Sequence, residues 1–364
     1  MKVVLSPNPY RDRGLRAAQA AEKILRNVGV ETAMCLPFLL EGSNLEFPKH
    51  IQFKDTQEEL KNADMLVCFG GDGTILHAAK DANAHKVPIL GVNLGSVGFM
   101  AELEQSELSM LSKLAAGKYT IESRMMLDVA VRRDGKVLFN DIALNDAALT
   151  KGAVARVVDL EVYGDKVMIA NFSADGVIVS TPTGSTAYSM SAGGPIVEPT
   201  AENMIVTPIC PHALSARSIV LGRERTVSIK MGKQSRKTAY LSVDGGKAFR
   251  LGSGDVVELK MSSSKTRLVR VTGRSFYDIL SQKLGKRQQE ILRIIEEQDI
   301  DTQDQLLAEL RARGLQSTQA TISRDIKELH LIKELTGYGT YRYAVSERKA
   351  SLNVASRLRT IFKE

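Results

Sequence analysis

The apolar run Met65-Leu66-Val67-Cys68-Phe69 breaks into Gly70-Gly71-Asp72-Gly73-Thr74 and resumes as Ile75-Leu76-His77-Ala78-Ala79. An apolar run of this length, bounded by glycines and followed by helical spacing, predicts a buried strand that enters a helix through a tight turn. Glycine lets backbone approach a phosphate closely, and the first free N–H groups of the helix attract anions. The carboxylate is the odd element. Beside phosphates it repels, unless it holds a metal ion or takes a proton from an attacking hydroxyl. Asp-Gly is also an ordinary turn, so the motif takes its meaning from its surroundings.

Over residues 1–122 strands alternate with helices: strand Lys2–Ser6, helix Leu15–Val28 closed by Gly29, strand Met65–Phe69, helix Thr74–Ala84 and strand Val87–Val92. This predicts an α/β domain with a parallel sheet and ligands at the carboxyl ends of its strands, where Asp72 lies. Over 123–285 short alternating runs, such as Leu127–Arg132, Val157–Tyr163, Val167–Asn171 and Val256–Met261, predict a mainly antiparallel β domain. Ser275–Leu284 closes it as a helix. Residues 286–345 then read as helices Lys286–Gln298, a second helix capped by Thr302 and Gln305, and Thr318–Leu329, followed by a hairpin over Leu331–Val345. Residues 346–364 remain as a tail.

A net charge of +7 suits anionic partners, nucleotide or nucleic acid, without choosing between them. Cys35, Cys68 and Cys210 lie far apart, which argues for a reducing compartment and against a zinc site or disulfide framework. The first apolar run is too short for a signal peptide, and no apolar segment approaches the ~20 residues that span a bilayer. The expected location is the cytoplasm. No GxxxxGK[ST] loop is present, which excludes a P-loop kinase, and no GxGxxG opens a helix.

Four further segments carry nucleotide chemistry. Gly91-Val92-Asn93-Leu94-Gly95-Ser96-Val97-Gly98-Phe99 is a second strand-to-glycine loop. Asn145-Asp146 pairs an amide with a carboxylate, suited to adenine and ribose edges. Thr181-Pro182-Thr183-Gly184-Ser185-Thr186-Ala187-Tyr188 is hydroxyl-rich, and Ser191-Ala192-Gly193-Gly194-Pro195 adds a tight turn. In this order, with Arg124–Leu127, Asp175-Gly176, Pro211–Arg217 and Ser275–Leu284, they resemble the NAD kinase family over about residues 1–285. The resemblance implies ATP-dependent phosphorylation of the adenosine-ribose 2′-hydroxyl of NAD, with a divalent ion such as Mg²⁺. It makes Asp72 the general base, and Gly70, Gly71, Gly73 and Thr74 the phosphate loop, with His77 one turn into the helix. Asn145 and Asp146 would contact adenosine and ribose, and Arg156, Asp175 and the run Thr186, Ala187, Tyr188, Ser189 and Ser191 would complete the dinucleotide site. The chain departs from the family at Gly246, where a polar side chain is common, and at Ser96, where a basic one is frequent.

The helix Thr318–Leu329 turns Ile322, Ile326 and Leu329 to one face and leaves Gln319, Ser323, Arg324 and Lys327 on others, as a helix-turn-helix requires. Nine Lys and Arg against ten Asp and Glu over 286–345 withhold the basic footprint expected of a DNA binder. The run Lys286–Leu292, Thr302-Gln303 and Thr318–Leu329, especially Ser323-Arg324-Asp325, resemble the DNA-binding domain of arginine repressors. That resemblance implies a winged helix-turn-helix with Gln319, Ser323 and Arg324 as DNA contacts. The family's arginine-binding, hexamer-forming domain has no room in Ser346–Glu364, so arginine sensing is not expected, and DNA affinity would come from homo-oligomerisation of the kinase-like part, the expected state, or from a weak monomeric site. The preferred reading is an NAD kinase bearing a DNA-binding appendage. The alternatives are a DNA-binding regulator that uses the kinase-like part as a nucleotide sensor, and a join of two neighbouring reading frames.

Overall fold

A computed structural model describes residues 1–37, 47–95, 98–152, 157–213, 216–231, 238–315, 317–335, 339 and 341–345. Arg156, Ser96, part of the Pro211–Arg217 segment, the hairpin turn at 336–338 and the tail 346–364 lie outside the described residues. The chain forms two compact units, Met1–Phe276 and Tyr277–Glu364.

In the first unit the strand Met65–Gly70 is buried along its whole length. Met65, Val67 and Phe69 enter one core and Leu66 and Cys68 the other, the two-sided burial of a central parallel strand. Lys2–Pro7 lies between it and Glu31–Met34, and Ile89–Asn93 flanks its other side, all parallel. Ile75, Ala78, Ala79 and Ala82, at helical spacing, seat the helix Asp72–Ala84 on one face of this sheet, and Ala17, Ala18, Ala21 and Leu25 seat Arg16–Asn27 on the other.

Antiparallel and parallel strands share one sheet. Val256–Arg270 pairs antiparallel with Thr120–Arg133 and with Thr226–Met231, and its Leu268 lies parallel to Ile89. One 11-stranded sheet therefore carries both textures, and the expected boundary at 122/123 falls inside the strand Thr120–Arg133. Val256–Arg270 contributes Val257 and Leu259 to the antiparallel core, and Leu268 and Val269 to the two cores of the parallel region. A second, six-stranded antiparallel sheet, with Gly176–Ser180 and Asp146–Lys151 at its centre, packs Leu149, Val177 and Val179 against Leu160, Val162, Val227 and Ile229.

In the second unit Phe276–Glu297, Gln303–Ala312 and Gln319–Glu328 are helices, and Leu331–Leu335 pairs antiparallel with Tyr341–Val345. The first helix runs through Gly285 without a break, where two helices were expected. An interior glycine costs about 1 kcal/mol, less than the burial of one large side chain, and Ile291 and Ile294 here are completely buried. Thr302 caps the second helix together with Gln305, as expected. Among the described residues no helix is long and apolar enough to cross a membrane.

Candidate active site and candidate nucleic-acid interface

The helix begins at Asp72 itself, two residues earlier than its sequence suggests, with Gly71 as the extended residue before it. Asp72 thus sits in the first turn, where the helix end favours negative charge. Its Oδ2 accepts the backbone N–H of Phe99 at 2.8 Å and its Oδ1 that of Met100 at 3.1 Å. The second glycine loop is therefore a cradle for this carboxylate. A Cβ on Gly98 would overlap Asp72 Oδ1, so only glycine permits the approach. A carboxylate has about four lone-pair positions, and two N–H bonds leave capacity for a hydroxyl proton.

Thr74 is buried, and its hydroxyl accepts from Asn8 Nδ2 at 3.1 Å. Gly70 faces that side chain with no room for a Cβ, whereas Gly71 and Gly73 border open space. Gly70 and Thr74 shape the loop, and Gly71 and Gly73 leave its backbone uncovered. His77 is exposed on the same helix. Leu76, one turn beyond Asp72, is part of the wall of a cavity of about 420 Å³. Residues i and i+4 share a helix face about 5–6 Å apart, so Asp72 lies one helical turn from this wall residue.

Asn145, Asp146, Ala187, Tyr188 and Asp244 line the same cavity. The Asn145-Asp146 corner is held from below by Asp244. Its Oδ1 accepts the N–H groups of Asn145 at 2.8 Å and Asp146 at 3.0 Å, and its Oδ2 that of Leu144 at 2.8 Å. Asp244 and Gly245, at φ 49° and 71°, make the left-handed turn that aims this carboxylate. Thr181 donates its N–H to the Asn145 carbonyl at 2.9 Å and its hydroxyl to that of Leu144 at 2.6 Å. Gly184 lies against the Asn145 carbonyl, where a Cβ would collide. Asn145 Oδ1 is buried with no hydrogen-bond partner among the described residues. Such an acceptor is costly unless a ligand donor meets it.

Burial pushes the Asp146 carboxyl up to about 7, with the charge of Asp244 adding to the shift. Burial also raises Asp244, against the opposing pull of its three N–H bonds. The Tyr188 phenol is raised by burial and by the neighbouring Asp146.

The other residues expected at the site are placed unevenly. Asp175 pairs with Lys151 Nζ at 2.6 Å. The Thr186 hydroxyl donates to the Thr183 carbonyl at 3.3 Å, and the Ser191 N–H to that of Ala187 at 3.4 Å. Ser189 is completely buried, its hydroxyl 2.9 Å from that of Thr207 and packed against Gly194, so it ties the loop to the neighbouring strand. Asp244 was missed as a site residue. The Asp-Gly dipeptide marked its turn, but its three partners lie about 100 residues away in the chain.

In the second unit Gln319 is exposed at the start of the helix Gln319–Glu328, with Ser323 and Arg324 half-buried one turn on. Thr318 caps this helix through Thr321 N–H at 3.3 Å. Asp325, third of the Ser-Arg-Asp run, is 1% exposed. It receives a two-pronged bond from Arg287, Nη2 to Oδ1 at 2.9 Å and Nε to Oδ2, while Gln288 Nε2 donates to Glu328 at 2.7 Å. These residues clamp the candidate recognition helix to Phe276–Glu297. Arg313 pairs with Glu290 and Glu297, and Arg342 with Asp299 and Glu334. The near-neutral balance of this unit is thus spent largely on internal pairing, and exposed Lys327 continues the Gln319–Ser323 stripe at i+4 spacing.

A carboxylate at a helix start, at the carboxyl ends of a parallel sheet and near a cavity that combines apolar walls with a few polar groups, is the arrangement of a nucleotide-binding phosphotransferase. The ATP-NAD kinase N-terminal domain model matches residues 30–119 and the ATP-NAD kinase C-terminal domain model residues 144–271. The chain is 49% identical over 223 residues to the NAD kinase of Symbiobacterium thermophilum, covering 61% of this chain and 78% of that protein. It is 36% identical over 290 residues to the NAD kinase of Acetivibrio thermocellus, covering 79% and 98%. Yeast NADH kinase complexed with NADH superposes with a TM-score of 0.69 at 27% identity, covering 78% of this chain and 87% of that one. An Archaeoglobus fulgidus NAD kinase in complex with ATP gives 0.59 at 26% identity, covering 77% and 99%. The chain belongs to the NAD kinase family and is an enzyme that phosphorylates NAD. Residues 282–350 match the arginine repressor DNA-binding domain.

Proposed function

We propose that Asp72 removes the proton of the adenosine-ribose 2′-hydroxyl of NAD as that oxygen attacks the γ-phosphorus of ATP. One O–P bond forms, the bond to the β-phosphate oxygen breaks, the proton moves to Asp72, and ADP and NADP leave. The observation that carries this reading is the placement of Asp72, cradled by two backbone N–H groups one turn from the wall of the Asn145–Asp146 cavity. Phosphoryl transfer depends chiefly on positioning and charge neutralisation, so one oriented base at a phosphate-attracting helix start suits it.

Asn145 Oδ1, buried without a partner among the described residues, suits the exocyclic amine of adenine, and Asp146 and Tyr188 suit ribose and ring edges. Backbone at Gly71 and Gly73 would take the phosphates, with Thr74 holding the loop. Asp175, Thr186 and Ser191 would support the dinucleotide from the neighbouring loops. Among the described residues no group of three His, Cys, Asp or Glu could hold a metal ion. Mg²⁺ arriving with the substrate as MgATP would neutralise the phosphates. Three free thiols and these substrates fit a cytoplasmic enzyme. The test is a coupled assay of NADP formation from NAD and MgATP: Asp72→Asn should lose about 10²–10⁴-fold in kcat while retaining NAD binding. Near-normal turnover of that variant would remove Asp72 from the role.

We also propose that Gln319, Ser323 and Arg324 read a DNA major groove, on the strength of the arginine-repressor match and of their place on a helix where Gln319 is exposed and Ser323 and Arg324 are half-buried. A homo-oligomer of the kinase-like unit would present several such helices and raise a modest single-site affinity. Gel-shift titration on an arginine-operator duplex against a scrambled one tests it; equal binding at low salt sinks it.

A further inference from the structure

Arg124, in the strand Thr120–Arg133, is 2% exposed. Its Nε donates to Glu122 Oε1 at 2.7 Å, Nη2 bonds the same oxygen, and Nη1 donates to the Thr183 hydroxyl oxygen at 3.3 Å. That Glu122 oxygen also accepts Arg270 Nη2 at 2.9 Å. Arg270 Nη1 donates to the Met100 carbonyl at 3.1 Å and to Glu102 Oε2 at 3.2 Å. Glu102, 4% exposed, is held in turn by the N–H groups of Val271 and Thr272 at 2.7 and 2.6 Å.

Both ends of this network reach the site. Met100 gives its N–H to Asp72. Thr183 accepts the hydroxyl of Thr186, next to Ala187 in the cavity wall. An unbroken series of bonds thus joins the carboxylate to the hydroxyl-rich loop. Burying such charges is a poor route to stability, because well-packed apolar side chains serve as well or better. Burial pulls the Arg124 guanidinium down, and it pushes Glu122 up, although Arg124 and Arg270 outweigh it and hold Glu122 low. What the network supplies is geometry.

We propose that Arg124 and Arg270, bridged by Glu122, are positioning residues that set the separation of Asp72 from the Thr183–Ala187 loop. This rests on the reading of Asp72 as the base. Misplacement by about 1 Å costs on the order of 10²-fold in rate, so the network acts on kcat.

Thr183→Val removes the hydroxyl that meets Arg124 while keeping its shape, and Thr183→Ser restores the oxygen. With Arg270→Lys and the double variant, kcat and the KM for NAD are measured in the full chain alongside the thermal midpoint. Thr183→Val and Arg270→Lys should each lower kcat by about tenfold or more, with KM changed by less than about threefold. Thr183→Ser should recover most of the rate, and the double variant should fall little below the poorer single one, because the series is already cut. Unchanged kcat in a folded Thr183→Val protein, a Thr183→Ser protein no better than it, or losses that multiply in the double variant would each overturn the proposal. Should Arg270→Lys fail to fold, the valine and serine pair decides alone. Near-normal turnover of Asp72→Asn in the same assay would instead overturn the base assignment on which this rests.

Discussion

Asp244 Oδ1 accepts the backbone N–H of Asn145 at 2.8 Å, so the amide that faces the cavity is set in place by an acid from a strand end about 100 residues later. The same oxygen reaches the N–H of Asp146, and two carboxyl groups consequently share one buried corner. Their proximity and their burial govern how this site responds to pH.

Asp146 titrates near 7 in the folded chain against an ordinary value of 3.8. Between these values the folded state binds more protons than the unfolded one, so stability falls as pH rises through the window and levels off above it. NAD is itself anionic, and ionisation of Asp146 beside Asp244 should weaken its binding over the upper part of that range. KM for NAD should therefore rise as pH passes through about 7, and Asp146→Asn should flatten both trends. Denaturant midpoints and KM across this range provide the check; a wild-type protein with neither trend refutes the shift.

Gly98→Ala would drive a methyl group into Asp72 Oδ1. The expected loss is on the order of 10²-fold in kcat, the scale of a misplaced reactive group, with little change in the thermal midpoint because the loop can give way locally. Retained kcat would mean that the cradle of Phe99 and Met100 is not needed for turnover.

Arg287→Ala leaves the Asp325 carboxylate, 1% exposed, without its two-pronged partner. Breaking a buried pair costs about 3–5 kcal/mol, a large part of what a domain of this size can supply. The second unit should melt well below its wild-type temperature, while NADP formation continues. Far-ultraviolet circular dichroism, followed alongside turnover, separates the two; an unchanged melting profile would show that the clamp contributes little.

Arg324→Ala should remove the preference for an operator duplex, a bidentate Arg–guanine contact being worth ~1–3 kcal/mol of discrimination. Kinase turnover should be unaffected. Because phosphate contacts respond steeply to salt, the comparison belongs at low ionic strength, and an undiminished preference would move the reading role to Gln319 or Ser323.

Local patterns in the chain suffice for Met65–Gly70 and for the last two helices of the second unit, where period and capping residues lie within a few positions of one another. They are insufficient wherever partners are distant. The 11-stranded sheet depends on Leu268 lying beside Ile89, and no pattern near either residue announces that pairing. Ser189 carries a hydroxyl in a hydroxyl-rich loop and reads as a ligand contact, and nothing near it in the chain announces its bond to Thr207. Asp325 reads as part of a recognition motif, yet its partner Arg287 makes it a brace. Polar residues declare their chemistry in sequence; which neighbour uses it is decided by tertiary structure.

The strand Val256–Arg270 also dictates an order of assembly. As the chain emerges from the ribosome, Ile89 waits with one side unpaired until Leu268 is made, about two thirds of the first unit later. Contacts of such sequence separation close slowly, and an unpaired strand edge invites association with other chains in the meantime. Commitment to the native sheet is therefore a late event in synthesis, reached shortly before the helix Phe276–Glu297 begins to appear. A nascent chain that stalls short of Arg270 lacks the strand that knits its halves together, and is a natural client for chaperones.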